Sequence, residues 1–508
     1  MKVVVIGLDG ATWNLLEPWA KEGTLPTIRQ LMEKGVWGKL ESTIPPSTFP
    51  AWKCYSTGKN PGKLGVFHFT SLDMKQKKLT VHNARDFKAK DIWDYLGEAN
   101  FQCGVINMPG TYPVKRINGF MIAGYPAESH DYTYPPSLEI ELKRNNYVLH
   151  PKSANKHSFS KNKSAVKNLF SSRFAIARKY LKDLDFIHLT IRYTDTVQHL
   201  LWNSPHILRE YWAHLDGELE NLLESDSLGE DAYIFLMSDH GFTKLKNSFF
   251  LNNWLHKNGY LVVKQGKKTS ILKLIPSPKT ILRTVGKLHL EWVLSVTPES
   301  IKSKAVQRLS LFPRIDWDRT RAVASGNIGI EKLYINKEGL QADQVYMLTK
   351  KLKKQLKDIK DPLTGQNVMK VFEKEEIYKG PYVYKAPDLM IVPESGYQIV
   401  GSFSNSGNIW GKCPNKREAF HEQHGIFLAY GPSIRKGEKT EDAKIYDLAP
   451  TILHIFGLSI PKDIDGRILS EIFEPNSEPG RRPVVYEPAG EKDRVKGKIT
   501  KLRDSGVI

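Results

Sequence analysis

The sequence predicts an α/β fold, a mostly parallel central sheet flanked by helices, and three observations carry that prediction. Several short runs are continuously apolar instead of alternating, as strands covered on both faces must be: Lys2–Leu8, Phe186–Ile191 and the residues 233–237. Stretches with helical spacing lie between them, such as Phe170, Phe174, Ala177, Leu181 and Leu184, and that alternation belongs to a parallel sheet. The apolar runs also stop in residues with donor atoms. YIFLM at 233–237 ends in Ser238, Asp239, His240 and Gly241, and ligands of open α/β sheets bind at the strands' carboxyl ends.

Taken in order, the first strand Lys2–Leu8 ends in Asp9 and Gly10. Helical patterns follow at 15–20 and at Pro26–Lys34, the second started by Thr24 or Pro26 and ended by Gly35. A short strand at Val36–Glu41 leads into STIPPSTFPAW, whose prolines keep the chain extended until a helix takes over near Ala51. Thr48 stands just before that helix, where unpaired N–H groups form a cradle for a phosphoryl group. Residues 60–65 read as a loop, 91–100 as an amphipathic helix and 102–106 as a strand. The polar, irregular segment 125–163 reads as an insertion near the sheet's functional edge, and 168–183 as a helix with a basic outer face.

After the strand Phe186–Ile191 comes RYTDTVQHLLW, in which Asp195 and His199 stand four apart and would share one face of a helix. Beyond 233–237, a short helix is expected at 252–259, strands at 322–330 and 333–336, a Lys-rich helix at 341–359 and a buried strand at 389–392. HEQHGIFLAYGPSI puts His424 and Gly425 ahead of a strand at 426–430, and 445–457 reads as a helix. The expected organisation is a core in two parts, 1–250 and 321–474, separated by a basic insertion or cap at 251–320 and followed by a polar tail at 475–508. No internal repeat is visible.

Composition narrows the classes. A chain of 508 residues with 40% hydrophobic content and 29 prolines is a globular protein with one large domain or two to three smaller ones. No apolar run approaches the roughly 18 residues of a membrane helix. The N-terminal apolar run lacks a small-residue cleavage site, so it reads as a strand and not as a signal peptide. Cys54, Cys103 and Cys413 are isolated, which fits a reducing compartment, and the expected location is the cytoplasm. These cysteines argue against a disulfide framework and a thiolate zinc site, so any metal is expected to be held by carboxylates, imidazoles and hydroxyls.

The net charge of +19 is concentrated. Residues 151–182 hold nine Lys/Arg and no acid, and 251–320 hold thirteen Lys/Arg against four acids, together +18. Such rims attract an anionic small substrate, nucleic acid or an acidic membrane surface, or are solvated faces. No nucleic-acid motif is present, and the basic stretches lack the interleaved aromatics of a single-strand groove. Oligomeric state is not legible.

The donor-bearing residues at strand ends are Asp9, Thr48, Asp195, His199, Asp239, His240 and His424. Oxygen and nitrogen donors without cysteine suit two hard or borderline divalent ions, which together can clamp an in-line phosphoryl displacement. Ser47 rivals Thr48 as nucleophile, and His421 rivals His424 as ligand. His188, inside a strand, reads as a satisfied core histidine, and Trp202 as packing.

The set VVVIGLDG, PPSTFPAWKCYSTGKNPG, TDTVQHLLW, MSDHGF, HEQHGIF and DLAPTILHIFG resembles the alkaline phosphatase superfamily. Within it the chain is similar to the type I phosphodiesterase/nucleotide pyrophosphatase branch and its predicted prokaryotic phosphohydrolases or phosphomutases. The motifs run in order over roughly residues 1–466. The resemblance implies two zinc-like sites, with manganese or iron as alternatives: Asp195, His199 and His424 for one, and Asp9, Thr48, Asp239 and His240 for the other. It implies that Thr48 attacks phosphorus to give a phosphothreonine, which water releases with net retention. The sulfatase branch is disfavoured, because its Cys/Ser-x-Pro-x-Arg signature is absent around Thr48. The branch's asparagine twenty-one residues after the nucleophile is here Phe69, preceded by His68, so Lys59, Asn60 and His68 are the candidates for the missing phosphate donor. The expected activity is phosphodiester hydrolysis. A phosphotransferase or phosphomutase, and a non-catalytic binder of anionic polymer or lipid headgroups, are the alternatives.

Overall fold

The computed structural model describes residues 1–151, 155–264, 314–325, 331–404, 406–412 and 417–488. Its centre is Lys2–Leu8, paired in parallel with Phe186–Ile191 on one side and Ala232–Met237 on the other. Nine strands make the main sheet, in the order Glu438–Lys444, Val36–Glu41, His424–Tyr430, Ala232–Met237, Lys2–Leu8, Phe186–Ile191, Cys103–Ile106, Gly119–Ile122 and Thr133–Tyr134. Side chains of the central strand alternate between two cores. Val4, Ile6 and Leu8 face a layer that includes Trp13–Lys21, Pro26–Lys34, Lys163–Tyr180 and Pro205–Leu223, whereas Val3 and Val5 face Thr48–Thr57, Ile92–Glu98 and Leu448–Ile455. Burial on both faces is why these strands carry unbroken apolar runs.

Two strands run against the rest, Thr133–Tyr134 at one edge and His424–Tyr430 within the sheet, and the second decides where the functional groups meet. His424–Tyr430 is antiparallel to both Ala232–Met237 and Val36–Glu41. Its first residues therefore lie at the edge where Lys2–Leu8, Phe186–Ile191 and Ala232–Met237 end. Val36–Glu41, antiparallel in turn, also ends there and delivers the segment leading to Thr48.

Several sequence expectations are corrected. The segment 125–163 contains the helices Pro136–Arg144 and Lys156–Lys161, the first burying Leu138 and Leu142 despite its polar composition. Pro61–Leu64 is a helical turn inside the expected loop, started by Asn60, whose side chain accepts from Gly62 N–H. The main sheet does not resume at 321. Ala322–Ala324, Glu331–Ile335, Leu389–Pro393 and Met369–Glu373 form a separate four-stranded antiparallel sheet with its own core, backed by Ala342–Lys357 through Leu352 and Leu356. Most of the basic stretch 251–320, the tail after 488 and Cys413 lie outside the described residues. Among the described residues, no helix is long and apolar enough to cross a membrane.

Candidate active site

The sheet's carboxyl edge gathers two clusters of donor atoms: Asp9, Asp239 and His240, and Asp195, His199 and His421. Local folding explains each position. Asp9 directly follows the central strand, is fully buried, and its Oδ2 accepts from Trp52 Nε1 at 3.3 Å. Asp239 follows Ala232–Met237 and accepts from Gly10 N–H at 3.0 Å. Asp195 and His199 share one face of the helix Tyr193–Leu201. The neighbouring face of that helix clasps the Asp9 turn: Thr194 Oγ1 donates to Asp9 O at 2.7 Å and Gln198 Nε2 to Gly10 O at 2.8 Å. Ser238 Oγ, donating to Ala11 O at 2.9 Å, and Ser42 Oγ, donating to Asp239 O, tie down the same loops.

His421, not His424, reaches Asp195 and His199. A short ribbon pairs Gly241–Lys244 with Ala419–Glu422 and sets His421 opposite Phe242, so its ring stacks on His240 with centroids 3.6 Å apart. His424 opens the next strand, pairs with Glu41 and is exposed, and it joins neither cluster. The glycine after His424 has a packing role: a Cβ on Gly425 would stand 2.1 Å from Ser238 Oγ. Of the candidate phosphate donors, Lys59 and Asn60 have partners of their own. Lys59 is ion-paired with Asp463, and Asn60 donates to Asp465 Oδ2 and Lys379 O, each at 2.9 Å. His68 keeps a buried Nδ1 with no hydrogen-bond partner; burial first, then Lys332 and His421, hold its pKa well below the imidazole range. His188 is satisfied by Tyr55 and Thr190 as a core residue, and Trp202 stacks on Phe242.

The clusters have the donor chemistry of metal sites. Each histidine donates Nδ1–H to a backbone carbonyl, His199 to Ala419 at 2.8 Å, His421 to Pro46 at 3.0 Å and His240 to Gly241 at 3.1 Å. That assignment of tautomers leaves all three Nε2 lone pairs pointing inward. His199 Nε2, His421 Nε2 and Asp195 Oδ1 are mutually 3.2 Å apart. Ligand atoms of a tetrahedral ion with bonds of about 2.0–2.1 Å stand ~3.3 Å from one another. In the second cluster, His240 Nε2 lies 3.3 Å from Asp239 Oδ2, 3.8 Å from Asp9 Oδ1 and 3.3 Å from Thr48 Oγ1. Asp9 Oδ1 and Asp239 Oδ2 are buried with no hydrogen-bond partner.

Electrostatics show the same deficit of positive charge. Burial, reinforced by Asp239 and Asp195, pushes the Asp9 carboxyl well above the usual range, and burial raises Asp239 to about 8. Burial and the nearby Arg417 depress His199 to about 4, and burial with His421 depresses His240. Asp195 goes the other way: burial raises it, but the His199 and His421 rings outweigh that. Thr48, the first residue of the helix Thr48–Thr57, is buried at the second cluster, while Ser47 caps the helix without a side-chain hydrogen bond. Trp52, Thr194 and Gln198 were not singled out by the sequence. The signal was present in the last two, which stand four apart on the same helix as the Asp195–His199 pair.

Residues 3–427 match the family model for type I phosphodiesterase/nucleotide pyrophosphatase. No curated protein matches. Among solved structures, human ectonucleotide pyrophosphatase/phosphodiesterase 5 is similar at 15% identity and a TM-score of 0.53, over 90% of this chain and 96% of that one. The murine protein, as an inactive threonine-to-alanine variant in complex with AMP, is similar at 16% identity and 0.53, over 90% and 96%. Phosphonoacetate hydrolase from Sinorhizobium meliloti 1021 is similar at 13% identity and 0.56, over 88% and 94%. The fold is thus shared with these alkaline phosphatase-like neighbours, and the chain belongs to the type I phosphodiesterase/nucleotide pyrophosphatase family.

Proposed function

We propose that the protein is a cytoplasmic two-metal phosphohydrolase acting on small phosphodiesters, with Thr48 as nucleophile. The observation that carries the reading is the convergence of three inward Nε2 atoms and two partnerless carboxylate oxygens beside the Thr48 hydroxyl. Asp195, His199 and His421 would hold one divalent cation, and Asp9, Thr48, Asp239 and His240 the other. Bound there, zinc, or manganese or iron in its place, would supply the positive charge that lowers the hydroxyl pKa and offsets charge on the phosphoryl oxygens.

The chain's own residues do the rest. Thr48 releases its hydroxyl proton to solvent as Oγ1 forms a bond to phosphorus and the bond to the leaving oxygen breaks, and the leaving oxygen takes a proton from solvent. The start of the helix Thr48–Thr57 turns unpaired N–H groups toward the phosphoryl oxygens. Water then displaces Thr48 from phosphorus, and two inversions give retention. Trp52, Thr194 and Gln198 keep the Asp9 turn in register throughout. The reading is consistent with the threonine-to-alanine variant of the murine relative being inactive.

The test is turnover of a chromogenic phosphodiester by protein supplemented with zinc or manganese. Chelation should abolish it, and Thr48→Ala should abolish it while zinc content stays within about twofold of wild type. Mass spectrometry of protein quenched during turnover should find phosphate on the peptide containing Thr48. Full turnover by Thr48→Ala would remove Thr48 from the mechanism.

A further inference from the structure

Next to the donor clusters stands a cation that nothing so far has used. Arg192 is the residue after Phe186–Ile191, and parallel register pairs Leu8 with Ile191, so Arg192 is the cross-strand neighbour of Asp9. Asp9 N–H donates to Ile191 O at 3.3 Å, and Asp195 N–H to Arg192 O at 3.2 Å. The half-buried guanidinium lies 4.1 Å from the centroid of the Tyr125 ring and 5.5 Å from that of Tyr193. Among the described residues, no carboxylate forms an ion pair with it. Its charge is balanced at longer range by the neighbouring Asp195 and Asp9 carboxylates, without a direct ion pair to either, so its N–H groups are not committed to a carboxylate.

The aromatic side chains around it lead back to Phe49, the residue after Thr48. Phe49, adjacent to Thr48, stacks on Phe69 at 4.7 Å, and Phe69 meets Tyr125 edge-on at 5.6 Å. Tyr125 then lies against Arg192. The backbone of Tyr125 is fixed, since its carbonyl accepts from Gly110 N–H at 3.0 Å and a Cβ on the preceding Gly124 would stand 2.3 Å from Asn107 O and Met108 O. A guanidinium stacked on a ring occupies its face and leaves its in-plane N–H edge free to fork onto an oxyanion. His150, the other titratable side chain packed here, is bonded to Tyr193 hydroxyl and Ala127 O, and burial holds it neutral, so it brings no competing charge.

We propose that Arg192 is a substrate-binding residue of this site, its in-plane N–H groups clamping nonbridging oxygens of the phosphoryl group that Thr48 attacks, with Tyr125 as the positioning residue that sets the guanidinium edge. The proposal rests on the phosphohydrolase reading above. It assigns phosphoryl recognition to a full charge on the strand end, at a site where Phe69 can offer no hydrogen bond.

The experiment is equilibrium binding of inorganic phosphate to the zinc-loaded full chain by calorimetry, with zinc content and melting temperature measured on each variant. Arg192→Gln should weaken phosphate binding about 10–100-fold, the worth of a charge-assisted fork, with zinc content and melting temperature unchanged. Arg192→Lys, keeping charge without the fork, should fall between the two. Tyr125→Phe should bind like wild type, because the ring persists, whereas Tyr125→Ala should weaken binding several-fold. Phosphate affinity of Arg192→Gln within twofold of wild type overturns the proposal, as does a loss that tracks lost zinc or a lowered melting temperature. If Arg192→Gln does not fold, Arg192→Lys decides, and wild-type affinity there overturns the fork. Wild-type protein that binds phosphate through Arg192 but turns over no phosphoester would sink the phosphohydrolase reading and leave the clamp standing.

Discussion

Replacing His421 and, separately, His424 with alanine tests the site where sequence and structure diverge most. His421 Nε2 lies 3.2 Å from both His199 Nε2 and Asp195 Oδ1, the spacing of ligands around one ion. Its Nδ1–H is committed to Pro46 O at 3.0 Å, so the ring is already oriented for that role. Loss of a partner that merely orients a ligand typically costs about 10–100-fold in metal affinity. Removal of a ligand itself should therefore cost His421→Ala at least ~100-fold at the Asp195 site. His424 is exposed, pairs with Glu41 at the start of the next strand and joins neither cluster, so His424→Ala should change zinc affinity less than about threefold. The assay is competition for zinc against a chromophoric chelator, with bound metal counted by mass spectrometry after gel filtration. His421→Ala should retain one equivalent fewer than wild type. Full zinc occupancy in His421→Ala together with loss in His424→Ala would refute the geometric argument.

Other outcomes follow from the packing. A Cβ on Gly7 would stand 2.4 Å from Trp52 Cη2, and Trp52 donates to Asp9, so Gly7→Ala should cost about 1–3 kcal/mol in chemical denaturation and weaken zinc binding roughly 10-fold. Zinc at about 100 times its Kd should stabilise wild-type protein by about 2.7 kcal/mol, read as a rise in melting temperature, and Asp239→Ala should lose most of that rise. Asp216 accepts from Thr27 N–H at 2.9 Å and Ile28 N–H at 2.8 Å at the start of Pro26–Lys34, whose own cap has no side-chain bond, so Asp216→Ala should cost about 1–2 kcal/mol. Burial pushes the Asp91 carboxyl up, but Lys115 and Lys53 outweigh it and hold it well below the usual range. A depressed carboxyl contributes stability above its unfolded value, near ~3.9, and loses it as pH falls through the folded one. Asp91→Asn should accordingly cost about 3–5 kcal/mol at pH 7 in urea unfolding and progressively less below about pH 4.

The sequence by itself determined the strands and most of the chemistry. Strands covered on both faces must be apolar throughout, so Lys2–Leu8, Phe186–Ile191 and most of Ala232–Met237 announced themselves, and the donors that end them were legible as Asp9, Asp239 and His240. Asp195 and His199 were legible because a helix repeats every four residues or so. Helices within 125–163 were not, because their buried residues are few and their surroundings polar. Which histidine completes the first cluster was a matter of tertiary structure. His421 and His424 stand three apart, and the choice depends on a two-strand ribbon with Gly241–Lys244, a pairing across some 180 residues that no local pattern encodes. Arg192 was invisible for a related reason: a charged residue at a strand end reads as surface, and only the ring of Tyr125, brought from a distant segment, shows that its guanidinium is stacked. Local sequence sets which atoms can bind, whereas long-range pairing sets which of them meet.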